Sequence, residues 1–231
     1  GGNAKKILRH AQSGKSILGE SMVTAIARGF STSEVNAGMG KIVAAPTAGG
    51  AGILPGSLSW IQDKYNFTDD EMLMALLVSG TIGRIIATNA TISGAEGGCQ
   101  AECGAAAAMS AAAIVELHGG TPEQSLTASS FAMLSVLGLV CDPVAGLVEF
   151  PCALRNGTGT INALVASDII GTPVTLLIYG TVLDDLGFTS ITYTSSPSAM
   201  NCMFIIPFIC RAFASLFVYS TILDFTVSLK D

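Results

Sequence analysis

The stretch from Cys99 to Glu116 reads Cys-Gln-Ala-Glu-Cys-Gly-Ala-Ala-Ala-Ala-Met-Ser-Ala-Ala-Ala-Ile-Val-Glu. Alanine has the highest intrinsic helix propensity, so a run this rich in alanine predicts a helix. Gly119 and Gly120 end the run, as glycine commonly does just past a helix. Side chains this small also let neighbouring helices approach closely. The stretch therefore predicts a helix that packs tightly inside a helical domain.

Further helix signals lie on both sides of this stretch. Residues 16–27 carry apolar side chains at helical spacing. The segment Thr68–Glu71 is a capping box ahead of an apolar helix that we expect to reach about Ala90. The segment Thr121–Gln124 starts another helix, expected to end near Leu137. Short Gly/Pro-rich loops and the absence of a period-two pattern predict an all-α, multi-helix fold.

The composition excludes several classes of protein. Of the 231 residues, 50% are hydrophobic and 12% are charged, against about 25% charged in a typical domain. A disordered chain needs the opposite balance. With 11 Lys and Arg against 17 Asp and Glu, the chain also lacks the basic surface that binds nucleic acid through phosphates.

The composition changes after about Gly171. Between Leu186 and Leu223 the only charged residue is Arg211. Residues 202–223 are long enough to span a bilayer, but Pro207 and the central Arg211 oppose a span. A buried or interface segment and a membrane span both remain open. We therefore divide the chain into a domain at 1–170 and a divergent apolar segment at 171–231.

The cysteines indicate a reducing compartment. No apolar run typical of a signal peptide follows the N-terminus, and a chain of this length does not need disulfides to fold. We expect free thiols and a cytoplasmic protein. The six cysteines are Cys99, Cys103, Cys141, Cys152, Cys202 and Cys210.

Two cysteines lie at the start of the alanine-rich helix. Cys99 and Cys103 are four residues apart, so on a helix they share a face. One interpretation is a pair of small buried hydrophobic side chains. The other is metal ligation at a helix N-terminus, where the positive end of the helix lowers a thiol pKa. A zinc or redox protein using this pair is a weaker alternative.

A second cysteine pair lies in the Gly/Pro-rich stretch 138–156. Cys141 and Cys152 each lie within two residues of a proline. Such a loop can wrap a cofactor. The spacing matches neither a ferredoxin motif nor a zinc finger, so this signal is weak by itself.

A third feature is the glycine-rich loop from Ala45 to Gly56. Backbone N–H groups between glycines form an anion-binding nest, and the loop lacks the Gly-Lys-Ser/Thr of a phosphate-binding P-loop. It suits a carboxylate, although a tight connector between helices is an equal alternative. His10 and His118 are isolated in sequence, and we interpret His118 as a residue at a helix C-terminus.

Together, three sequence blocks resemble the iron–sulfur-dependent L-serine dehydratases, specifically their α chain or α domain. The resemblance covers residues 1–169 and fades after Ile170. One departure within it is Cys103, which stands where the family has a small apolar residue and which we interpret as core. The blocks are Met-Gly-Lys-Ile-Val-Ala-Ala-Pro-Thr-Ala-Gly at 39–49, Gly-Ala-Glu-Gly-Gly-Cys-Gln-Ala-Glu at 94–102 and Cys-Asp-Pro-Val-Ala-Gly-Leu-Val-Glu-Phe-Pro-Cys at 141–152.

The resemblance implies a helical catalytic domain that holds a [4Fe–4S] cluster through Cys99, Cys141 and Cys152. Three thiolates leave one iron open as a Lewis acid. The implied reaction converts L-serine to pyruvate and ammonia, a step of amino-acid degradation that can supply gluconeogenesis. The general base is not identified, and the use of L-threonine is open.

The resemblance also implies a substrate site and partners. We expect the nest to bind the substrate carboxylate and the polar residues beside the cysteines to support the ligands. A β chain or β domain and an oligomeric assembly are implied. The alternative is a non-catalytic membrane-associated or interaction protein derived from this family. The expected substrate-binding residues are Pro46, Thr47, Ala48, Gly49, Gly50 and Asn156, and the supporting residues are Glu96, Gln100, Asp142, Arg155 and Asn156.

Overall fold

The structure, a computed structural model, describes residues 1–146 and 149–171 and two strands beyond them. The all-α prediction is confirmed for the part up to residue 171, which contains helices and a single 3₁₀ turn at Val144–Gly146 as its regular elements. The helices are α1 (Asn3–Gln12), α2 (Gly19–Ala37), α3 (Ile53–Tyr65), α4 (Asp69–Asn89), α5 (Gly94–Leu117), α6 (Pro122–Leu134) and α7 (Cys152–Gly171).

Helix α5 lies at the centre of the core and packs against α3, α6 and α7. Its alanines at 105–108 and 111–113 are fully buried. Because a methyl group is the whole side chain, the neighbouring backbones approach closely on several sides of this helix. The tight helical packing predicted from the alanine run is therefore present.

Both predicted capping boxes are formed. The Thr68 N–H donates to the Glu71 carboxylate at 2.7 Å, and the Glu71 N–H donates back to the Thr68 hydroxyl at 3.3 Å. The second box has the same reciprocal pattern between Thr121 and Gln124, at 2.8 and 3.3 Å. Each box gives partners to backbone N–H groups that a helix start leaves unpaired.

Several helix boundaries differ from the sequence prediction. Helix α2 continues to Ala37 rather than stopping at Ala27, and α6 ends at Leu134. Helix α3 begins at Ile53, so Pro55 lies in its first turn, where no intrahelical N–H bond is lost. The loop expected up to Gly56 is therefore shorter.

Helix α7 replaces part of the predicted Gly/Pro-rich loop. It begins at Cys152, directly after Pro151. Its glycines serve close packing rather than turns: a Cβ on Gly159 would lie 2.5 Å from Ile53 Cδ1, and one on Gly157 would overlap the Phe30 ring. Composition alone therefore gave the wrong secondary structure here.

Two strands lie beyond α7, β1 (Leu177–Leu183) and β2 (Phe188–Thr194). They pair antiparallel, with Gly180 opposite Ile191. Sequence patterning did not predict them. The larger compact unit of the chain comprises 1–87 and 92–172, and the other comprises 88–91 and 173–231.

The membrane candidate of the sequence analysis, at 202–223, lies outside the described residues. Within them, α4 is the one helix that is long and apolar enough to cross a membrane by length and composition. The core helix of a water-soluble protein meets the same criteria.

Candidate functional site

Cys99 lies at the first regular turn of α5, just after a break in the helix. The break is at Gly98, whose φ of 75° and ψ of −177° are not helical. A Cβ on Gly98 would lie 2.7 Å from the Leu139 carbonyl oxygen. Glycine is therefore needed twice here, for a positive φ and for the close approach of the chain that leads to Cys141.

Gln100 joins that chain to α5. Its N–H donates to the Leu139 carbonyl at 2.9 Å, and its side-chain oxygen accepts from the Gly138 N–H at 2.8 Å. These two bonds fix the segment just before Cys141, which is itself exposed. The supporting role expected for Gln100 therefore has a structural basis.

Arg155 connects the Cys141 segment to α7. Its guanidinium donates to the Val140 carbonyl at 2.9 Å and to both carboxylate oxygens of Asp142, at 2.5 and 3.2 Å. The same guanidinium lies close enough to the sulfur of Cys99 to lower the pKa of that thiol. Because Cys152 is the first residue of α7, Arg155 links the three segments that carry the three predicted ligands.

The thiols do not titrate alike. The Cys103 thiol donates a hydrogen bond to the Cys99 sulfur, and with Arg155 this lowers the pKa of Cys99 to about 6. The Cys103 pKa is raised by the same contact and by burial. Burial also raises the Cys152 pKa, reinforced by the negative charges of Cys99 and Glu102. Of Cys99, Cys103 and Cys152, Cys99 is therefore the thiol most readily present as thiolate at neutral pH.

The donor set fits an iron–sulfur cluster in its chemistry. The charges of Cys99 and Cys141 both raise the pKa of Cys152, so the three thiols lie within electrostatic reach of one another. Thiolates are the soft ligands that such clusters take. In the part of the chain that the structure describes, no three His, Cys, Asp or Glu side chains are close enough to hold a single metal ion. A four-iron cluster is larger than one ion, so its ligands stand farther apart.

Cys103 itself belongs to the hydrophobic core, with 3% of its surface exposed. It also borders a cavity of about 240 Å³. Its placement agrees with the interpretation of Cys103 as core, with the added contact to Cys99.

Asn156 fastens the glycine-rich loop to α7. It is fully buried. Its amide nitrogen donates to the Gly49 carbonyl at 2.6 Å and to the Cys152 carbonyl at 2.8 Å, while its oxygen accepts from the Gly52 N–H at 2.7 Å. The expected substrate loop thus lies beside the start of the helix that carries Cys152.

The loop presents backbone N–H groups that suit an anion. The N–H groups of Ala45, Ala51, Gly52 and Ile53 are used within the protein. Those of residues 48–50 make no hydrogen bond to another described residue, although Gly49 and Gly50 are buried. Buried N–H groups normally have a partner, so this geometry supports the predicted anion nest.

Glu102 is a site residue that the sequence analysis missed as a candidate. Its carboxylate accepts a hydrogen bond from the Thr47 hydroxyl at 2.5 Å, and it lies against Gly49 and Gly94. It is 55 residues from Thr47 in sequence, so no local spacing rule connects the two. The one available signal was its place in the block at 94–102.

Three other residues from the sequence analysis, Glu96, His118 and His10, lie away from this centre or at its edge. Glu96 is exposed. His118 caps the C-terminus of α5, as predicted, and packs edge-on against Tyr65 and Phe67. His10 is an exposed residue in the last turn of α1.

Comparison with known proteins gives consistent matches over the helical part. The L-serine dehydratase alpha chain of Peptoniphilus asaccharolyticus is 56% identical over 168 residues, covering 73% of this chain and 58% of that protein. The probable L-serine dehydratase alpha chain of Bacillus subtilis is 52% identical over 169 residues, covering 73% and 56%. The L-serine dehydratase TdcG of Escherichia coli is 45% identical over 140 residues, covering 60% and 31%.

The matched region stops short of the relatives' full length. This chain spans a little more than half of each of the two alpha chains. The model of the family described as "Serine dehydratase alpha chain" matches residues 1–173, which contain all three sequence blocks and α1 to α7. The chain therefore belongs to the serine dehydratase alpha chain family.

Proposed function

We propose that this chain is the α component of an L-serine dehydratase that converts L-serine to pyruvate and ammonia with a [4Fe–4S] cluster. The observation that carries the proposal is the junction built by Arg155, which ties the segments of Cys99, Cys141 and Cys152 to one another. The names of the relatives, all L-serine dehydratases, support the choice of substrate.

The residues that would hold the cluster are Cys99, Cys141 and Cys152. A cluster with three protein ligands supplies a Lewis-acidic iron that assists departure of the substrate hydroxyl. Arg155 keeps a positive charge near the Cys99 sulfur. Such contacts to ligand sulfurs orient the ligands and set the electronic properties of a cluster.

The glycine-rich loop binds the substrate in this proposal. The N–H groups of residues 48–50 converge on the carboxylate, and Asn156 holds the loop in place. Loss of the α-proton and the β-hydroxyl then gives aminoacrylate and water. The aminoacrylate tautomerises to an imine, and the imine takes up water to release pyruvate and ammonia.

A β partner completes the enzyme in this proposal. The relatives are named as alpha chains, and a chain so named implies a second component. We expect the assembled enzyme to act in the cytoplasm, where the thiols stay reduced.

The test is anaerobic reconstitution of the full chain with iron and sulfide, followed by a pyruvate assay on L-serine with and without a β chain. Untreated protein is the control, and L-threonine is assayed in parallel through its 2-oxo acid product. We expect pyruvate from L-serine with the β chain present. A reconstituted protein that binds iron but makes no pyruvate under either condition would contradict the proposed function.

A further inference from the structure

Glu102 is held where the glycine-rich loop meets α5. The Thr47 hydroxyl donates to its carboxylate. A Cβ on Gly49 would lie 2.5 Å from one carboxylate oxygen, and a Cβ on Gly94 would lie 2.7 Å from the same oxygen. Two backbone segments therefore close on this carboxylate, and a Cβ at either position would push the carboxylate out of its place.

This carboxylate has no cationic partner within the part of the chain that the structure describes. The ion pairs there join Arg28 to Asp63, Arg155 to Asp142 and the N-terminus to Glu149. A partly buried carboxylate without a counter-ion is costly unless something else compensates its charge. Thr47 supplies one neutral hydrogen bond and leaves that negative charge uncompensated.

The position of Glu102 beside the anion nest indicates which chemical group compensates its negative charge. The carboxylate lies against Gly49, and residues 48–50 carry the N–H groups with no partner among the described residues. An anion site and a carboxylate thus lie side by side. In an α-amino acid the carboxylate and the ammonium group are borne by the same carbon, so they need two such sites next to each other.

We propose that Glu102 binds the α-ammonium group of the substrate while the N–H groups of residues 48–50 bind its carboxylate. The site then selects zwitterionic α-amino acids over acids that lack the amino group. This inference rests on the proposed function and deepens it, because it names the residue that recognises the amino group of serine.

Glu102→Gln separates this role from a merely structural one. The amide keeps the size of the side chain and an oxygen that accepts from Thr47, so the loop stays attached. Only the negative charge is removed. Because the ammonium contact is present in the ground state and the transition state alike, its loss raises KM while kcat changes little.

The first measurement is the kinetics of the reconstituted full chain with its β chain on L-serine. A hydrogen bond between charged groups corresponds to roughly a 10- to 100-fold change in binding, so we expect KM to rise by that factor in Glu102→Gln. Glu116→Gln is the matched control, because Glu116 is also half-buried on α5 but near its other end. An unchanged KM in Glu102→Gln, with turnover intact in the parent, would overturn the inference and leave the proposed function standing.

The second measurement does not depend on turnover. Titration calorimetry of the same assembly compares L-alanine, which has the ammonium group but no hydroxyl to lose, with propionate, which lacks both. We expect the parent to bind L-alanine more tightly than propionate, and Glu102→Gln to lose that preference. A parent that binds both equally would overturn the inference even if it makes pyruvate. A parent that prefers L-alanine through Glu102 but makes no pyruvate would support the inference and contradict the proposed function.

Discussion

Single side chains hold the site together by bonding to backbone far away in sequence. Asn156 reaches Gly49 and Gly52 on the glycine-rich loop and Cys152 on its own helix. The substrate-binding assignment of Asn156 could be made from the sequence resemblance. Its actual partners could not, because they lie more than a hundred residues away. Glu102 was missed for the same physical reason.

Replacing Asn156 by alanine leaves two carbonyls and one N–H group without their partner in a buried position. We expect Asn156→Ala to destabilise the fold by about 3 kcal/mol, since each unsatisfied buried group costs roughly 1–3 kcal/mol. Urea unfolding monitored by circular dichroism measures this. Asn162, which also lies on α7, donates one hydrogen bond to the Ala132 carbonyl of α6, so Asn162→Ala is expected to cost about 1 kcal/mol. If the two variants lose equal amounts of unfolding free energy, the glycine-rich loop does not depend on Asn156.

Two glycine-to-alanine substitutions are expected to change the free energy of unfolding in opposite directions. Gly98→Ala meets a positive φ and a carbonyl 2.7 Å away, so it destabilises by about 1–3 kcal/mol and weakens iron retention. Gly80→Ala lies within α4 with open space around it, so it stabilises by about 0.5–1 kcal/mol. Thermal unfolding and iron content of both variants test this pair. If Gly98→Ala is as stable as the parent and retains as much iron, the Cys141 segment is not held against α5 as described.

At the scale of helices, the predictions succeeded where the local signal is strong and failed where tertiary packing decides. The alanine run and the two capping boxes identified α4, α5 and α6, because propensity and capping act within a few residues. The start of α7, at 152–156, was expected to belong to a Gly/Pro-rich loop. It is helical instead, and α7 meets Phe30 and Ile53 at Gly157 and Gly159, which are distant contacts that a sequence pattern does not reveal.

The capping box of α4 makes helix stability depend on pH. Hydrogen bonds from the Thr68 backbone and hydroxyl lower the Glu71 pKa below its ordinary value. The folded state therefore gains stability from ionised Glu71 above the unfolded pKa and loses it as the pH falls through the folded pKa. We expect Glu71→Gln to be less stable than the parent at pH 7, with the difference vanishing in acid. Urea unfolding across this range measures the difference, and a gap that persists below the folded pKa would contradict it.

The second capping box provides the control for this pH effect. Its acceptor is the Gln124 amide, which does not titrate. The loss of stability in Gln124→Ala is therefore expected to vary less over this pH range than that of Glu71→Gln. The remaining variation comes from Glu123, whose pKa is lowered by hydrogen bonds with its own backbone and with Thr121.

At the scale of the whole molecule, the site is a junction between distant parts of the chain. The glycine-rich loop, the start of α5, the segment 138–142 and the start of α7 converge there through Asn156, Gln100 and Arg155. Family membership and the all-α class could be inferred from three sequence blocks. The antiparallel pair of β1 and β2 could not, and it lies beyond the region that the family model matches.

A group bound at this junction stabilises the whole fold by mass action, because the ligands come together only in the native state. We expect anaerobic reconstitution with iron and sulfide to raise Tm, and removal of the iron by a chelator to reverse the change. Differential scanning calorimetry under nitrogen measures it. Cys141→Ala is the control and is expected to show no rise in Tm. A rise of the same size in that variant would point to iron bound elsewhere.

The most direct test of the three-thiolate site is the visible absorption and iron content of four alanine variants after anaerobic reconstitution. We predict that Cys99→Ala, Cys141→Ala and Cys152→Ala each lose the broad absorption of the cluster and most of the iron. Cys103→Ala removes the buried thiol on the same face of α5 and is predicted to retain both. If Cys141→Ala binds iron as well as the parent, or if Cys103→Ala loses it, the ligand assignment is contradicted.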